Sequence, residues 1–472
     1  MLKVSELSAS LEVSFGTSGV RGLVSSLTPE LCYAFTLGFI QSVCPSSKRV
    51  AVGMDLRPSS PKIAQAVLLA IKHSGAEAIF CGALPTPALA FFAMQQSMPA
   101  IMVTGSHIPF DRNGIKFYRA DGEISKDDER AIMAAQLELT TDLSAAIEAL
   151  PTPEVDSSAI SLFESRYLSL FPHDILLGKR VGVYEHSSVA RDVIKRLLTS
   201  LGAEVVSLER TETFVPIDTE AVSAEDQQKG LAWAAQYQLD AIVSTDGDGD
   251  RPLIADEKGQ WLRGDIVGIL CAEYLGATHV AAPINCNTGL ELSTANFTTL
   301  RTQIGSPYVI AGMAALLQQA PAAQVVGYEA NGGFLVGSAC FANGRALAAL
   351  PTRDAILPIL ILLVGAIEKA LPISQLAGHL PARFTASDRI TDFPTQKSQR
   401  LMAQLLESEE KRTQLCRLFS PHSEVKSMDQ TDGLRMTLDN GDIVHLRASG
   451  NAPELRCYAE ADNAEQAVRM VE

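Results

Sequence analysis

Residues 48–75 read KRVAVGMDLRPSSPKIAQAVLLAIKHSG, and residues 76–106 continue AEAIFCGALPTPALAFFAMQQSMPAIMVTGS. Each half begins with a short apolar run, breaks into a polar loop and returns through a segment of helical period, and the second closes on another apolar run. Strands that alternate with helices in this way build a largely parallel sheet with helices laid against it. The rhythm returns at 179–209, KRVGVYEHSSVARDVIKRLLTSLGAEVVSLE, running on to 240–251, DAIVSTDGDGDR. A third round spans 278–297, THVAAPINCNTGLELSTANF, and 324–334, QVVGYEANGGF. We read this as a weak internal repeat of α/β units, one of pattern rather than of identity. From about residue 373 the character changes. A charged helical segment, SQRLMAQLLESEEKRTQL, precedes short strands such as GLRMTLDN, DIVHLRAS and LRCYAEAD. The expected fold class is α/β: three successive mixed or parallel-sheet α/β domains (1–150, 151–256, 257–372) plus a smaller C-terminal α+β domain (373–472) around a central cleft.

Size and composition agree with several domains, because 472 residues exceed what one core holds. A net charge of −15 makes the chain a poor partner for nucleic acid, so an anionic ligand must be drawn in by a local cluster of cations. Eight scattered cysteines without a CxxC pair argue against a zinc ribbon or dithiol and for reduced thiols. The first residues lack the apolar centre of a signal peptide, and the apolar run Ile356–Ile367 is too short to span a bilayer. We expect a cytoplasmic protein with no membrane association, as a monomer or homodimer.

In open α/β sheets ligands gather beyond the carboxyl ends of the strands, and four loops there carry chemistry. The 246–251 loop, DGDGDR, packs Asp246, Asp248 and Asp250 between glycines. Such carboxylates repel one another unless a cation neutralises them, and all-oxygen ligands suit magnesium or calcium. An EF-hand reading fails at Arg251, which stands where a glycine is needed, and at the strand-like rather than helical segment before the loop. A solvated Asp/Gly turn is the plainer alternative. Ser106, in TGSHIPFDRNGIKF, follows a strand and can act as nucleophile or phosphoryl carrier; Lys116 and His107 lie close in sequence. It is no hydrolase elbow, since Thr104 and Ile108 stand where glycines belong. Glu329 in GYEANGGF is suited to gripping two sugar hydroxyls. Arg447, Ser449, Gly450 and Asn451, with Arg456 beyond Pro453, make a loop suited to a phosphate monoester. The run FGTSGVRG at 15–22 can form a backbone nest, with Arg21 directed at an anion.

Taken in order, these loops resemble the α-D-phosphohexomutase superfamily, from FGTSGVRG to RASGNAPELRCYAEA, over essentially the whole chain. The resemblance implies an isomerase that interconverts hexose 6-phosphate and hexose 1-phosphate through a phosphoserine and a hexose 1,6-bisphosphate intermediate. It implies that Ser106 carries the phosphoryl group and, with Asp246, Asp248 and Asp250, holds one Mg²⁺. It further implies that Lys116, Arg21 and Arg251 are catalytic cations, with His107 a second candidate beside Lys116 for the base. Glu329 and Asn331 would then face the sugar, as would Gly305 and Ser306, while Arg447, Ser449, Gly450, Asn451 and Arg456 hold the non-reacting phosphate. Asn331 departs from the serine usual two residues after the glutamate in this loop, and Gly333 from the histidine common in relatives that accept both mannose and glucose. TGSHIP is similar to the bacterial phosphomannomutase form, and phosphoglucomutase and phosphoglucosamine mutase are the alternatives. A Mg-dependent sugar phosphatase or a non-catalytic sugar-phosphate scaffold are the more distant ones.

Overall fold

The computed structural model describes residues 2–16, 19–137, 143–420, 423–449 and 454–472. The internal repeat is real at the level of topology. In the first unit the strands run in the order Glu77–Ala83, Arg49–Met54, Ala100–Val103, Arg112–Arg119, the first three parallel and the last antiparallel. The second unit repeats it with Glu204–Leu208, Arg180–Tyr184, Ala241–Thr245 and Pro252–Ala255. The third does so with Thr298–Thr302, His279–Pro283, Val325–Tyr328 and Phe334–Val336. In each unit the antiparallel step is a hairpin, and the three hairpin loops are 104–111, 246–251 and 329–333. The first sheet is extended by Val20–Leu23, Ser14–Phe15 and Gly122–Glu123, and the third by Leu350–Asp354.

These strands form because their apolar runs are buried on both faces, as central strands covered by helices require. Ala241–Thr245 is buried at every residue, as is Ala100–Val103. Helices start where sequence signals place them. Ser125 forms a capping box with Asp128, Ser223 accepts from the Asp226 amide, and Thr28 caps a helix that opens with Pro29. The apolar run at 356–367 is the buried helix Ile356–Glu368, and Pro358 is tolerated because it falls in the first turn, where its missing N–H costs no intrahelical bond. One apolar core crosses all three units, joining Leu89, Phe163, Val183, Val243, Ile269, Val326 and Leu360.

The C-terminal unit is an antiparallel sheet in the order Phe384–Ile390, Leu455–Ala461, Ile443–Ala448, Leu434–Leu438, Val425–Asp429. Its core, built on Leu405, Met436, Val444 and Ala459, is its own. Its charged segment forms two helices rather than one, Thr395–Glu407 and Glu409–Phe419, because Ser408 adopts extended backbone and caps the second. Polar contacts attach this unit to the third. Glu460 accepts from the Thr288 amide and from Arg383, and the Ile304 amide donates to Asp432 Oδ2 at 2.9 Å. Among the described residues no helix is long and apolar enough to cross a membrane.

The hairpin at 329–333 is fixed by a backbone approach that only glycine allows. A Cβ on Gly264, at the start of the helix Gly264–Tyr274, would lie 2.2 Å from Gly332 N and 2.5 Å from Ala330 O. Neither partner is a flexible side-chain tip. Gly264→Ala is therefore expected to destabilise the protein by about 1–3 kcal/mol, as overpacking does. Urea denaturation of the two proteins measures it, and an unchanged midpoint would contradict this packing.

Candidate active site

The loop after Ala100–Val103 turns sharply, and Ser106 sits in it with φ 53°, a left-handed conformation unusual for serine. What holds the turn is a buried pair that sequence reading missed. Asp55 accepts from Thr104 Oγ1 at 2.8 Å, Ser60 Oγ at 2.5 Å and the Gly105 amide at 3.3 Å. The Arg57 guanidinium donates to the carbonyls of Ser106, Ile108, Pro109 and Arg112 at 2.5–2.9 Å. It also lies 3.3 Å from Asp55 and over the Phe214 ring, 3.9 Å from its centroid. Both side chains are fully buried, and burial pushes the Asp55 carboxyl up and the Arg57 guanidinium down. The many charge-assisted bonds offset that desolvation. The DLRPSS loop could have suggested this pair, since it occupies the first strand's carboxyl end.

Ser106, fully buried, donates from Oγ to Asp246 Oδ2 at 2.8 Å, so the loops of the first and second units meet. Gly247 permits the approach, because its Cβ would lie 3.0 Å from the Ser106 carbonyl oxygen. Asp246, Asp248 and Asp250 are all buried, with one oxygen from each within 4.8 Å of the others. Asp248 accepts from Thr86 Oγ1 at 2.7 Å and Lys116 Nζ at 2.6 Å; Asp250 Oδ2 accepts from Lys116 at 2.9 Å. The second oxygens, Asp248 Oδ1 and Asp250 Oδ1, are buried without a hydrogen-bond partner among the described residues, although Arg251 Nε lies 3.7 Å from the latter. Burial and then the charges of Asp248 and Asp250 push the Asp246 carboxyl well above the usual carboxylate range. Burial opposes the charges on Asp248 and Asp250, but Lys116 and Arg353 outweigh it and hold both carboxyls below the usual range. Three buried acids, two of them ionised with an orphaned oxygen each and the third pushed up by burial and by their charge, make a set that a divalent cation would neutralise, and all-oxygen donors fit magnesium or calcium. The cluster can bind a metal.

Four cations surround these acids. Burial opposes the charge on Lys116, but Asp248 and Asp250 outweigh it and hold the ammonium protonated. Arg251 Nη1 lies 2.6 Å from His107 Nδ1, and burial followed by the charges of Arg251 and Arg21 pushes the His107 ring well below its usual value. His107 is thus a neutral ring that accepts from Arg251 at Nδ1, while Ser106 Oγ lies 3.4 Å from the same nitrogen. Arg21, opposite Gly114 in the sheet, is pushed down to about 10 by burial, then by Arg251 and Arg353. The fourth cation, Arg353, was not foreseen from sequence. It donates to Asp250 at 3.0 Å and to Glu329 Oε2 at 3.1 Å.

Glu329 lies in the third unit's hairpin loop, nearly buried, and reaches the acid cluster through Arg353. The Asn331 side chain turns back to accept from the Gly333 amide at 2.9 Å, so it shapes the hairpin. Gly305, with φ 130°, caps the helix Ser306–Gln319, and Ser306 Oγ donates to Glu123 of the first unit at 3.2 Å. Arg447 and Arg456 face each other across neighbouring strands, with Arg389 opposite Arg456 in the next. Three like charges in one cross-strand row are unfavourable without an anion. Asp432 pairs with Arg447 at 2.9 Å and Glu454 with Arg456 at 3.1 Å. Ser449 is buried beside them, its amide donating to the Glu454 carbonyl at 3.0 Å. Gly450 and Asn451 lie outside the described residues, as do Thr17 and Ser18 of the first glycine run.

Comparison with known proteins gives the same picture. Models of the phosphoglucomutase/phosphomannomutase family match in four consecutive pieces: alpha/beta/alpha domain I at 12–142, domain II at 174–259, domain III at 263–384 and the C-terminal domain at 395–472. The chain is 52% identical to a phosphomannomutase of Salmonella muenchen over 98% of its length and 94% of the relative's. It is 42% identical to a phosphomannomutase of Sinorhizobium fredii, covering 97% of each. A crystal structure of a phosphoglucomutase/phosphomannomutase family protein from Burkholderia thailandensis superposes with a TM-score of 0.73 at 20% identity, over 96% of this chain and 94% of that one, which speaks to fold alone.

Replacing Arg57 by Met would strand Asp55 and four carbonyls in the interior. Removal of one partner from a buried ion pair costs about 3–5 kcal/mol, and that loss is expected here. Urea denaturation of Arg57→Met checks it; a loss below 1 kcal/mol would show that the serine loop is held by something else.

Proposed function

The chain belongs to the phosphoglucomutase/phosphomannomutase family of phosphohexomutases, and from that footing we propose that it interconverts mannose 6-phosphate and mannose 1-phosphate. The carrying observation is the contact of Ser106 Oγ with Asp246 Oδ2 at 2.8 Å, in a buried site ringed by Lys116, Arg251 and Arg21. A phosphoryl group on Ser106 would bring negative charge into this set of cations. Asp246, Asp248 and Asp250 would hold Mg²⁺, with a phosphoserine oxygen completing the set. Bound there, the ion supplies positive charge at the oxygen that leaves phosphorus.

Phosphoryl transfer has a loose transition state, so positioning and charge neutralisation supply most of the acceleration. The P–Oγ bond of phosphorylated Ser106 breaks as a P–O bond forms to the substrate hydroxyl, whose proton passes to a base. The hexose 1,6-bisphosphate so formed turns over and returns its other phosphoryl group to Ser106. Lys116 and Arg251 would hold the equatorial oxygens. Lys116 is protonated between its two aspartates and so enters as a cation rather than as the base. Arg21, pushed down by burial and then by the Arg251 charge, gains an anionic partner when a phosphorylated ligand arrives. Glu329 presents a carboxylate to the sugar, and Arg447, Ser449 and Arg456 grip the phosphate that does not react. Because that grip sits on a unit with its own core, it can follow the ligand as the bisphosphate reorients.

The choice of mannose over glucose and glucosamine rests on the two long-range relatives and on the TGSHIP loop. It is tested by kcat/KM for the three hexose 1-phosphates, with the mannose compound expected to lead by at least tenfold, about 1.4 kcal/mol of discrimination; a larger value for another hexose would reassign the substrate. Ser106→Ala is expected to abolish isomerisation, and near-normal turnover would remove the phosphoserine from the account. Arg447→Ala should raise KM for hexose phosphate on the order of tenfold or more with a smaller change in kcat, as loss of an anion clamp does. An unaltered KM would take the C-terminal loop out of the site.

A further inference from the structure

The strand Leu350–Asp354 ties three units together through consecutive side chains. Thr352 Oγ1 donates to Glu123 of the first unit at 2.8 Å. Asp354 accepts from the hydroxyl of Tyr167, on the helix Ser158–Leu168 ahead of the second unit's sheet. Between them Arg353, 2% exposed, spends its whole guanidinium on two acids. Nε and Nη2 contact Asp250 Oδ2 at 3.0 and 2.9 Å, and Nη1 donates to Glu329 Oε2 at 3.1 Å. One planar fork therefore spans the acid loop and the sugar-facing carboxylate, a geometry that an ammonium cannot copy. The hairpin beneath is cut to fit it. A Cβ on Gly333 would lie 2.6 Å from Arg353 Cδ, so any side chain there would displace the arginine stem.

We infer that Arg353 is a positioning residue that fixes Glu329 relative to the metal-binding loop, so that sugar discrimination and phosphoryl transfer are set by one side chain. This rests on the phosphohexomutase reading of the site. Contact with Arg353 occupies one oxygen of Glu329 and fixes its rotamer, leaving Oε1 to the ligand. Freed of the fork, Glu329 would be drawn elsewhere among the cations, and its grip on the hydroxyls that distinguish one hexose from another would loosen.

The test is a double-mutant cycle on the full chain with Mg²⁺ and mannose 1-phosphate or glucose 1-phosphate as substrate, using wild type, Arg353→Lys, Glu329→Gln and the double variant. Arg353→Lys keeps the charge and loses the fork, and it is expected to lower kcat/KM for the mannose compound on the order of 30-fold. In the Glu329→Gln background the same change should cost less than about threefold, because its effect passes through that carboxylate. The ratio of kcat/KM between the two epimers should also move toward one in Arg353→Lys, which a purely structural role would not produce. Gly333→Ala is a second route, since it displaces the arginine stem without removing the guanidinium, and should shift the epimer ratio in the same direction. Equal losses in both backgrounds, or an unchanged epimer ratio, would overturn the assignment while leaving wild-type turnover intact. Absence of turnover by the wild type would overturn it together with the reading on which it rests.

Discussion

Three carboxylates in one buried hairpin set the terms for everything around them. Asp246, Asp248 and Asp250 cannot share so small a volume in a low-dielectric interior without compensation, and the fold supplies it from every side. Thr86 and Lys116 come from the first unit and Arg353 from the third, each within 3.0 Å of one of the acids. Assembly of the units is thus an electrostatic requirement as well as an apolar one. Separated from its neighbours, the second unit would set three acids against Arg251 of its own loop, without Lys116 or Arg353. The orphaned oxygens that remain after this pairing are the ones free to meet an ion.

The same topology explains why function converges. Each α/β unit ends its parallel strands in a hairpin at the same position, and each hairpin contributes a different chemical group: a hydroxyl at Ser106, an acid cluster at 246–250, a carboxylate at Glu329. Repetition of one architecture places three loops toward a common centre, while an apolar core running through all three units keeps their separation fixed. The C-terminal unit, with a core of its own, is attached by polar contacts such as Asp432 to the Ile304 amide. Asp432 also holds Arg447, so the contact that docks the unit is shared with the arginine proposed to grip phosphate. A rigid centre and an adjustable anion grip would both follow from this division of cores.

Sequence legibility followed chemical oddity. DGDGDR stands out because three aspartates between glycines have few structural uses, and TGSHIP stands out beside Lys116. The α/β rhythm was legible because central strands are apolar runs separated by polar loops, and it led to the right class of fold. Arg353 was invisible in LPTRDA, since an arginine in a short strand carries no local sign that the chain will fold it onto two acids from other units. Arg57 was hidden likewise in an ordinary-looking βα loop, its task being to satisfy carbonyls some fifty residues away. Asn331 was expected to face a sugar, whereas its side chain is used by the turn itself. The split at Ser408 was masked because SQRLMAQLLESEEKRTQL keeps helical composition across the break.

The whole account depends on a phosphoryl group being held covalently at residue 106. Intact-mass measurement followed by peptide mapping, after incubation with mannose 1,6-bisphosphate and Mg²⁺, reads this directly. One added phosphate, located on Ser106 and lost on addition of mannose 1-phosphate, is the expected result. A protein that turns over substrate while carrying no phosphate at that serine, or carrying it elsewhere, would contradict the account.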